Sequence, residues 1–495
     1  MTVRLGVFSS RWGMMLAMLG MAVGTGNIWR FPRVVATNGG GSFLVAWFVF
    51  LLLWSIPLIL VEFAMGKATR YGPVGAFARL IGRGFSWMGA WVAWTATAIM
   101  FYYAVVMGWT IRYVWAAASG QLPLSDLDLA DPASVATTTA ALQGFWDGFA
   151  FTPNVLFVHA LAMGMAVFVV ARGVRGIEQA ARILIPTLFV MVVVLAVRAL
   201  TLPGASAGLS FMFTPDFGAL AEPRIWLAAL TQNAWDTGAG WGLIVAYAVY
   251  MRRSEDTSLN AFMLGFGNNS VSLLAGIMVL CTVFAMLPDA ASQIVGAGNE
   301  GLTFIWVPAL FAQVPLSRLF MVIFFLALMF AAWTSLIAMI ELASRVLTDA
   351  GIPRRRAVAV VGVGGFVLGV PSALSQPIFA NQDWVWGVGL MLSGLFFATA
   401  ALKYGVTRFR ETLINGPDSD IHIGAWWDWV IRLVVVQGFV LIGWWLYQVR
   451  GEAFFAPEGI GLLAVQWGVA LALFLLFNRW IADRTSAEHD RVGGS

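Results

Sequence analysis

Along the chain, apolar runs of about twenty residues alternate with short polar links. Twenty residues of helix measure about 30 Å, the depth of a bilayer's hydrocarbon. The runs predict spans at 12–35, 42–66, 87–117, 152–171, 181–201, 226–250, 259–287, 317–348, 357–375, 383–404, 427–449 and 460–481. Segment 289–316 is apolar but broken by Gly and Pro, and reads as a re-entrant or capping outer loop. The stretch 119–150, with Asp126, Asp128, Asp131 and Asp147, reads as an outside loop.

Two of the spans are interrupted by glycines. The first contains Gly20-Met-Ala-Val-Gly24-Thr-Gly26-Asn27, and the sixth contains Asp236-Thr-Gly238-Ala-Gly240-Trp-Gly242. They lie five spans apart, which suggests two inverted halves with a binding site at the breaks. Broken backbone exposes amides and carbonyls that need partners away from water, and ions with a zwitterionic or anionic solute are natural ones. The competing reading is that such glycines only let helices approach closely.

Composition agrees with a membrane chain. Of 495 residues, 60% are hydrophobic and 11% charged, with mean hydropathy +0.83, whereas a soluble domain carries roughly 25% charged residues. The single cysteine, Cys281, excludes an intrachain disulfide. There is no zinc-type Cys/His cluster, and His159, His422 and His489 are too scattered to be given a role. The net charge of +4 comes from Lys and Arg in short links, a topology signal and no nucleic-acid face. Those residues fall mostly on the side of the N-terminus, which predicts both termini in the cytoplasm. The opening MTVRLGVFSSRWG is too short and polar for a signal peptide, so the first span is expected to be retained.

The run GNIWRFPRVVATNGGGSF (Gly26–Phe43) resembles the helix 1–2 signature of the neurotransmitter:sodium symporter family, in particular its bacterial branch. The resemblance continues through Phe101-Tyr-Tyr103, the sixth-span segment, Asn268, Ala331-Ala-Trp-Thr334-Ser335 and Asp383, and covers nearly the whole chain. It implies an all-α membrane protein of twelve helices with a 5+5 inverted repeat and unwound helices 1 and 6. The halves would be 1–201 and 202–404, with 405–495 holding the last two helices and a cytoplasmic tail. It implies residence in a bacterial inner membrane and sodium-coupled uptake of an amino acid or related amine by alternating access, with no enzymatic chemistry. A helix 5 loosened near Pro186 would let sodium leave inward.

The same resemblance implies particular residues. One of two sodium sites would use the carbonyls of Gly20, Val23 and Ala331 with the hydroxyls of Thr334 and Ser335. For those hydroxyls, ordinary back-bonding to a helix carbonyl is the plainer reading. The other site would use the Ala22 carbonyl, Asn27, Asp236 and Asn268. The solute pocket would be lined by Met21, Ala22, Gly24, Gly26, Ile99, Tyr103, Trp235, Gly238, Trp241, Ser335 and Met339, with Tyr103 on a substrate carboxylate. Asp236 departs from the family, which usually has a hydroxyl there. Ser272 on helix 7 would by itself suggest chloride dependence. The fixed carboxylate of Asp236 suggests instead transport without chloride, with pairing to a substrate amine as a rival role. Arg30 and Asp383 match the outer gate pair. Asp349 would face the N-terminal segment, with Arg4 as partner and Tyr250 as support, and Phe8 stands where the family has tryptophan. A channel, a carrier of an organic acid or osmolyte, and a membrane enzyme are the alternative classes. No nucleophile motif or acid/base pair in the spans favours the last.

Overall fold

The structure, a computed structural model, describes residues 6–124, 127–416 and 419–486. Helix makes up 81% of the described residues, and no strand forms among them. Eight helices are long and apolar enough to cross a membrane: Gly41–Thr69, Arg83–Ser119, Gly173–Leu200, Thr257–Met286, Ser317–Asp349, Arg354–Leu374, Gln376–Tyr404 and Trp426–Gln448. Each overlaps an expected span. Large apolar side chains such as Phe157, Ile183, Val363, Phe439 and Leu476 point outward and stay exposed. Hydrocarbon, rather than water, suits that surface.

Four expected spans are not single helices of that length, the last of them bent as described below. Val155–Ala171 has 17 residues. The first span is a helix over Arg11–Ala22 that goes extended at Val23 (φ −71, ψ 104) and resumes through Gly26–Arg30 and Phe31–Thr37. The sixth is a helix over Pro223–Asp236 and a second piece, Leu243–Ala248. Between them Gly238, Gly240 and Gly242 take φ of 72°, 87° and 78°, a left-handed region that side chains with a Cβ resist. Gly240 is further fixed by crowding: a Cβ there would lie 2.9 Å from the Gly394 Cα.

Local chemistry sets several helix starts. The Ser10 hydroxyl accepts from the Gly13 amide at 3.0 Å, and Asp256 accepts from the Leu259 amide at 2.9 Å. Such caps satisfy amides that the first helical turn leaves free. Ser317–Asp349 packs along Arg83–Ser119 at the centre of the bundle. The helix Arg11–Ala22 lies against Gly173–Leu200 and Ser317–Asp349, and Leu243–Ala248 lies against Ile56–Thr69 and Ser317–Asp349. Both breaks therefore face one interior.

Three expectations change. The last span is not one rod: Ile460–Leu476 and Asn478–Thr485 meet at 61°. The bend is held because Asn478 accepts from the Trp87 amide at 2.9 Å and Asp483 pairs with Arg83. The acidic stretch 119–150 is not all loop but contains the helix Pro132–Asp147, capped by Asp131. Segment 289–316 folds into the short helical pieces Ala291–Gly296, Gly298–Glu300, Gly301–Trp306 and Val307–Ala312. Its Phe304 stacks on Trp146 of that helix with ring centres 4.8 Å apart.

Candidate solute and sodium site

A cavity of about 670 Å³ lies between the two breaks and opens toward the 289–316 segment. All eleven residues expected around a solute line it: Met21, Ala22, Gly24, Gly26, Ile99, Tyr103, Trp235, Gly238, Trp241, Ser335 and Met339. The sequence supplies them from four separate stretches, 21–26, 99–103, 235–241 and 335–339, so only the fold assembles them. Tyr103 reaches across from Arg83–Ser119: the Thr25 amide and hydroxyl donate to its oxygen at 3.1 and 3.2 Å. A Cβ at Gly24 would stand 3.0 Å from that oxygen and 3.1 Å from the Ser335 hydroxyl. The break therefore passes close to both, and glycine keeps room at the cavity floor.

Asp236 ends the helix Pro223–Asp236 and lines the same cavity, 4% exposed. Its Oδ2 accepts from the Ser272 hydroxyl at 2.8 Å and the Asn27 side-chain amide at 3.2 Å. Asn27 Nδ2 also donates to Ser272 Oγ at 2.8 Å and Asn268 Oδ1 at 3.0 Å. Asn27 Oδ1 accepts from the Gly24 amide at 2.8 Å, which pins the break. The nitrogen of Asn27 therefore faces the acid, and its oxygen faces the break. Asp236 Oδ1 is buried with no hydrogen-bond partner and sits 3.0 Å from the place a Gly26 Cβ would take. A bare carboxylate oxygen in a dry site is costly without a cation. The donor set of Asp236, Asn268 and the exposed carbonyls fits a hard cation such as sodium.

The other expected ion residues also converge. Ser335 Oγ lies 3.4 Å from the carbonyls of both Met21 and Val23. Thr334 Oγ1 donates to Phe330 O at 3.0 Å and Ala331 O at 3.1 Å, leaving its lone pairs free to accept a cation. Gly20 abuts it, since a Cβ there would be 3.2 Å from Thr334 Cβ. No group of three or more His, Cys, Asp or Glu suited to a metal ion occurs among the described residues.

A profile of the sodium:neurotransmitter symporter family matches residues 6–143 and 145–449. The chain belongs to that family. A protein of Methanocaldococcus jannaschii described as an uncharacterized sodium-dependent transporter is 31% identical over 444 residues, 86% of this chain and 87% of its own length. A counterpart from Bacillus subtilis is 28% identical, over 88% of this chain and 96% of its own. The sodium-dependent serotonin transporter of Drosophila melanogaster is 25% identical, over 94% of this chain and 80% of its own. Among solved structures, MhsT in complex with L-phenylalanine matches with a TM-score of 0.75 and 29% identity, covering 89% of this chain and 99% of that one. Members of this symporter family are transporters and not enzymes.

The structure places three of the residues expected at the gates, Arg30, Asp383 and Asp349. Arg30 and Asp383 both line the cavity, yet no ion pair joins them among the described residues. Arg30 lies instead 4.7 Å above the Trp235 ring, a contact that the tryptophan's large face favours. Asp349 pairs with Arg345 at 2.7 Å and accepts from the Gly72 amide at 2.7 Å. Its expected partner Arg4 lies outside the described residues. The described part of the N-terminal segment is held at two points: the Ser9 amide and hydroxyl donate to Glu178 at 2.8 and 2.7 Å, and the Phe8 amide donates to the Tyr250 carbonyl at 3.2 Å. Tyr250 in turn donates to the fully buried Glu341, which Arg354 grips through both oxygens at 3.1 and 2.6 Å.

Sequence reasoning missed Glu62. It is fully buried, and its two oxygens accept from the Gly240 and Gly242 amides at 2.6 and 2.9 Å. It thereby satisfies the backbone that the sixth-span break exposes. The signal was present: an acid within the apolar run LILVEFAMG.

Proposed function

We propose that the protein is a sodium-coupled symporter that takes up a small amino acid or related zwitterion by alternating access. On this reading the chain makes twelve spans arranged as a 5+5 inverted repeat, 1–201 and 202–404, with 405–495 appended. It lies in a bacterial inner membrane with both termini cytoplasmic. Two sodium ions and the solute share the interior: one ion at Gly20, Val23, Ala331, Thr334 and Ser335, the other at Ala22, Asn27, Asp236 and Asn268. The observation that carries the reading is that two broken backbones, an unpartnered Asp236 oxygen and the Tyr103 hydroxyl meet at one cavity.

Binding and closure follow from that arrangement. Sodium neutralises Asp236 Oδ1 and orders the first break. A solute carboxylate then finds Tyr103 and the start of the 26–37 helix, where the helix dipole favours an anion. Arg30 stacked on Trp235 is poised to swing over the solute from the open side. Ion and solute stabilise the same closed state, so the sodium gradient sets direction. Because Asp236 Oδ2 already holds a negative charge against Ser272 and Asn27, chloride is not needed there.

The test is uptake into proteoliposomes from purified protein. Solute accumulation should require a sodium gradient, vanish with potassium, and persist when gluconate replaces chloride. Competition by neutral amino acids, set against lactate, taurine and betaine, assigns the solute class. Asp236→Ser should make the transporter chloride-dependent. Uptake indifferent to sodium, or lost without chloride in the unmodified protein, would refute the corresponding half of the reading.

A further inference from the structure

The second span, Gly41–Thr69, is irregular midway. Gly41–Phe50 is an α-helix, Leu51–Ser55 widens into an i→i+5 turn, and Ile56–Thr69 resumes the α-helix. Such wide turns are rare and gather at functional sites. This one ends on Ser55, whose hydroxyl donates to Asn233 Oδ1 at 3.0 Å. The Thr237 hydroxyl lies 3.0 Å from Ser55 Oγ and 2.8 Å from the Asn233 carbonyl, and its one hydrogen can go to either. Asn233 spends its side-chain amide hydrogens on the Trp47 and Ala229 carbonyls, both at 3.0 Å. Ser55, Asn233 and Thr237 are each 0% exposed. Polar groups so deep in an apolar bundle are costly unless paired, and these pair with one another.

The triad meets the sixth span where its first helix stops. Asn233 precedes and Thr237 follows Asp236, the last residue of Pro223–Asp236. The final carbonyls of a helix have no partner within it. Here the Asn233 carbonyl takes the Thr237 amide at 3.4 Å as well as the hydroxyl. A helix C-terminus also disfavours an anion, so its own helix does nothing to steady the Asp236 carboxylate. Ser272 and Asn27 hold Oδ2 from the front. The triad holds the backbone behind it.

We propose that Ser55, acting through Asn233 and Thr237, positions Asp236 for sodium. It ties the end of the sixth-span helix to the second span and keeps Asp236 Oδ1 aimed into the cavity. None of the three residues lines that cavity, so they are positioning residues and not ligands. The role rests on Asp236 being a sodium ligand, as proposed above. With the tie cut, the helix end frays, the carboxylate spends less time in the binding geometry, and sodium affinity falls by that fraction.

The test uses the full chain purified in a neutral detergent. It is melted across a sodium series, with potassium holding ionic strength constant. Ser55→Ala and Thr237→Val each remove a hydroxyl at nearly unchanged volume. A role in stability alone would lower the melting point in potassium and leave the sodium midpoint in place, because the folded protein would bind the ion as before. A positioning role raises the midpoint, by about fivefold in each variant, the share of one buried hydrogen bond. The double variant should move it no further than the larger single change, because the residues act as one unit. The proposal is overturned if either variant keeps the parent's midpoint, whatever its melting point, or if the two shifts add in the double variant. Should one variant not fold, the other alone decides. A parent that sodium does not stabilise would instead overturn the sodium reading, and this role with it.

Discussion

Replacing Glu62 with glutamine tests whether the sixth-span break is held by a carboxylate. Both Glu62 oxygens accept from backbone amides, Gly240 at 2.6 Å and Gly242 at 2.9 Å. A carboxamide of the same shape offers one oxygen and one NH₂. One glycine amide then keeps its partner, and the other faces a second donor. The lost bond is worth about 1 kcal/mol and the stranded buried amide costs about 1–3 kcal/mol more. The total is roughly 2–4 kcal/mol, or about 30- to 800-fold in the equilibrium that orders the break. A solute and ion that require the ordered break lose apparent affinity by up to that factor. The assay is thermal melting of purified protein across a sodium series, with potassium holding ionic strength constant. The parent should be stabilised by sodium with a defined midpoint. Glu62→Gln should keep its helical circular dichroism, melt lower and need far more sodium. An unchanged melting point with an unchanged sodium midpoint would refute the role assigned to Glu62.

Asp236→Asn replaces a charged oxygen by a neutral one, so the sodium midpoint in the same melting series should rise roughly tenfold, the difference between charge-assisted and neutral contacts. Tyr103→Phe removes the acceptor for the Thr25 amide and hydroxyl; solute affinity should fall by about 1–2 kcal/mol in a binding assay while the fold persists. Gly387→Ala would set a Cβ 2.0 Å from Trp235 Cζ2. Displacing that ring should cost about 1–3 kcal/mol and loosen the Arg30 stack, read as lower melting and weaker solute retention. Arg354→Gln leaves Glu341 buried without its cation, and a loss of about 3–5 kcal/mol in stability is expected. Adding Glu341→Gln should recover most of it, and a double variant no better than the single would contradict the pairing.

Glu62 and Asp383 show where sequence and structure part. An acid in an apolar run is visible in the chain, but nothing near Glu62 in sequence says that its partners are glycines 178 and 180 positions away. The match of Arg30 with Asp383 points to a gate through water or direct contact, and only the structure places Arg30 over the Trp235 ring. Likewise Asp349 pairs with Arg345, one turn back on its own helix, and Glu178 takes Ser9. Such choices depend on which side chains meet after folding, and many charged residues along the chain could have served.

What the sequence determined alone is what local physics enforces. Length and apolarity of the runs set where helices lie, because unsatisfied backbone is intolerable in hydrocarbon. Glycines 238, 240 and 242 announced a break, because the left-handed backbone they adopt excludes most other residues. The eleven residues expected around a solute were legible through the resemblance to a family, and all of them line one cavity. Only the tertiary structure decided the bend at Phe477, the helix within 119–150, the turn of the Asn27 amide, the grip of Glu62 and the tie of Ser55 to Asn233 and Thr237. Each of these arises from contacts between segments far apart in the chain, whose energies no local pattern records.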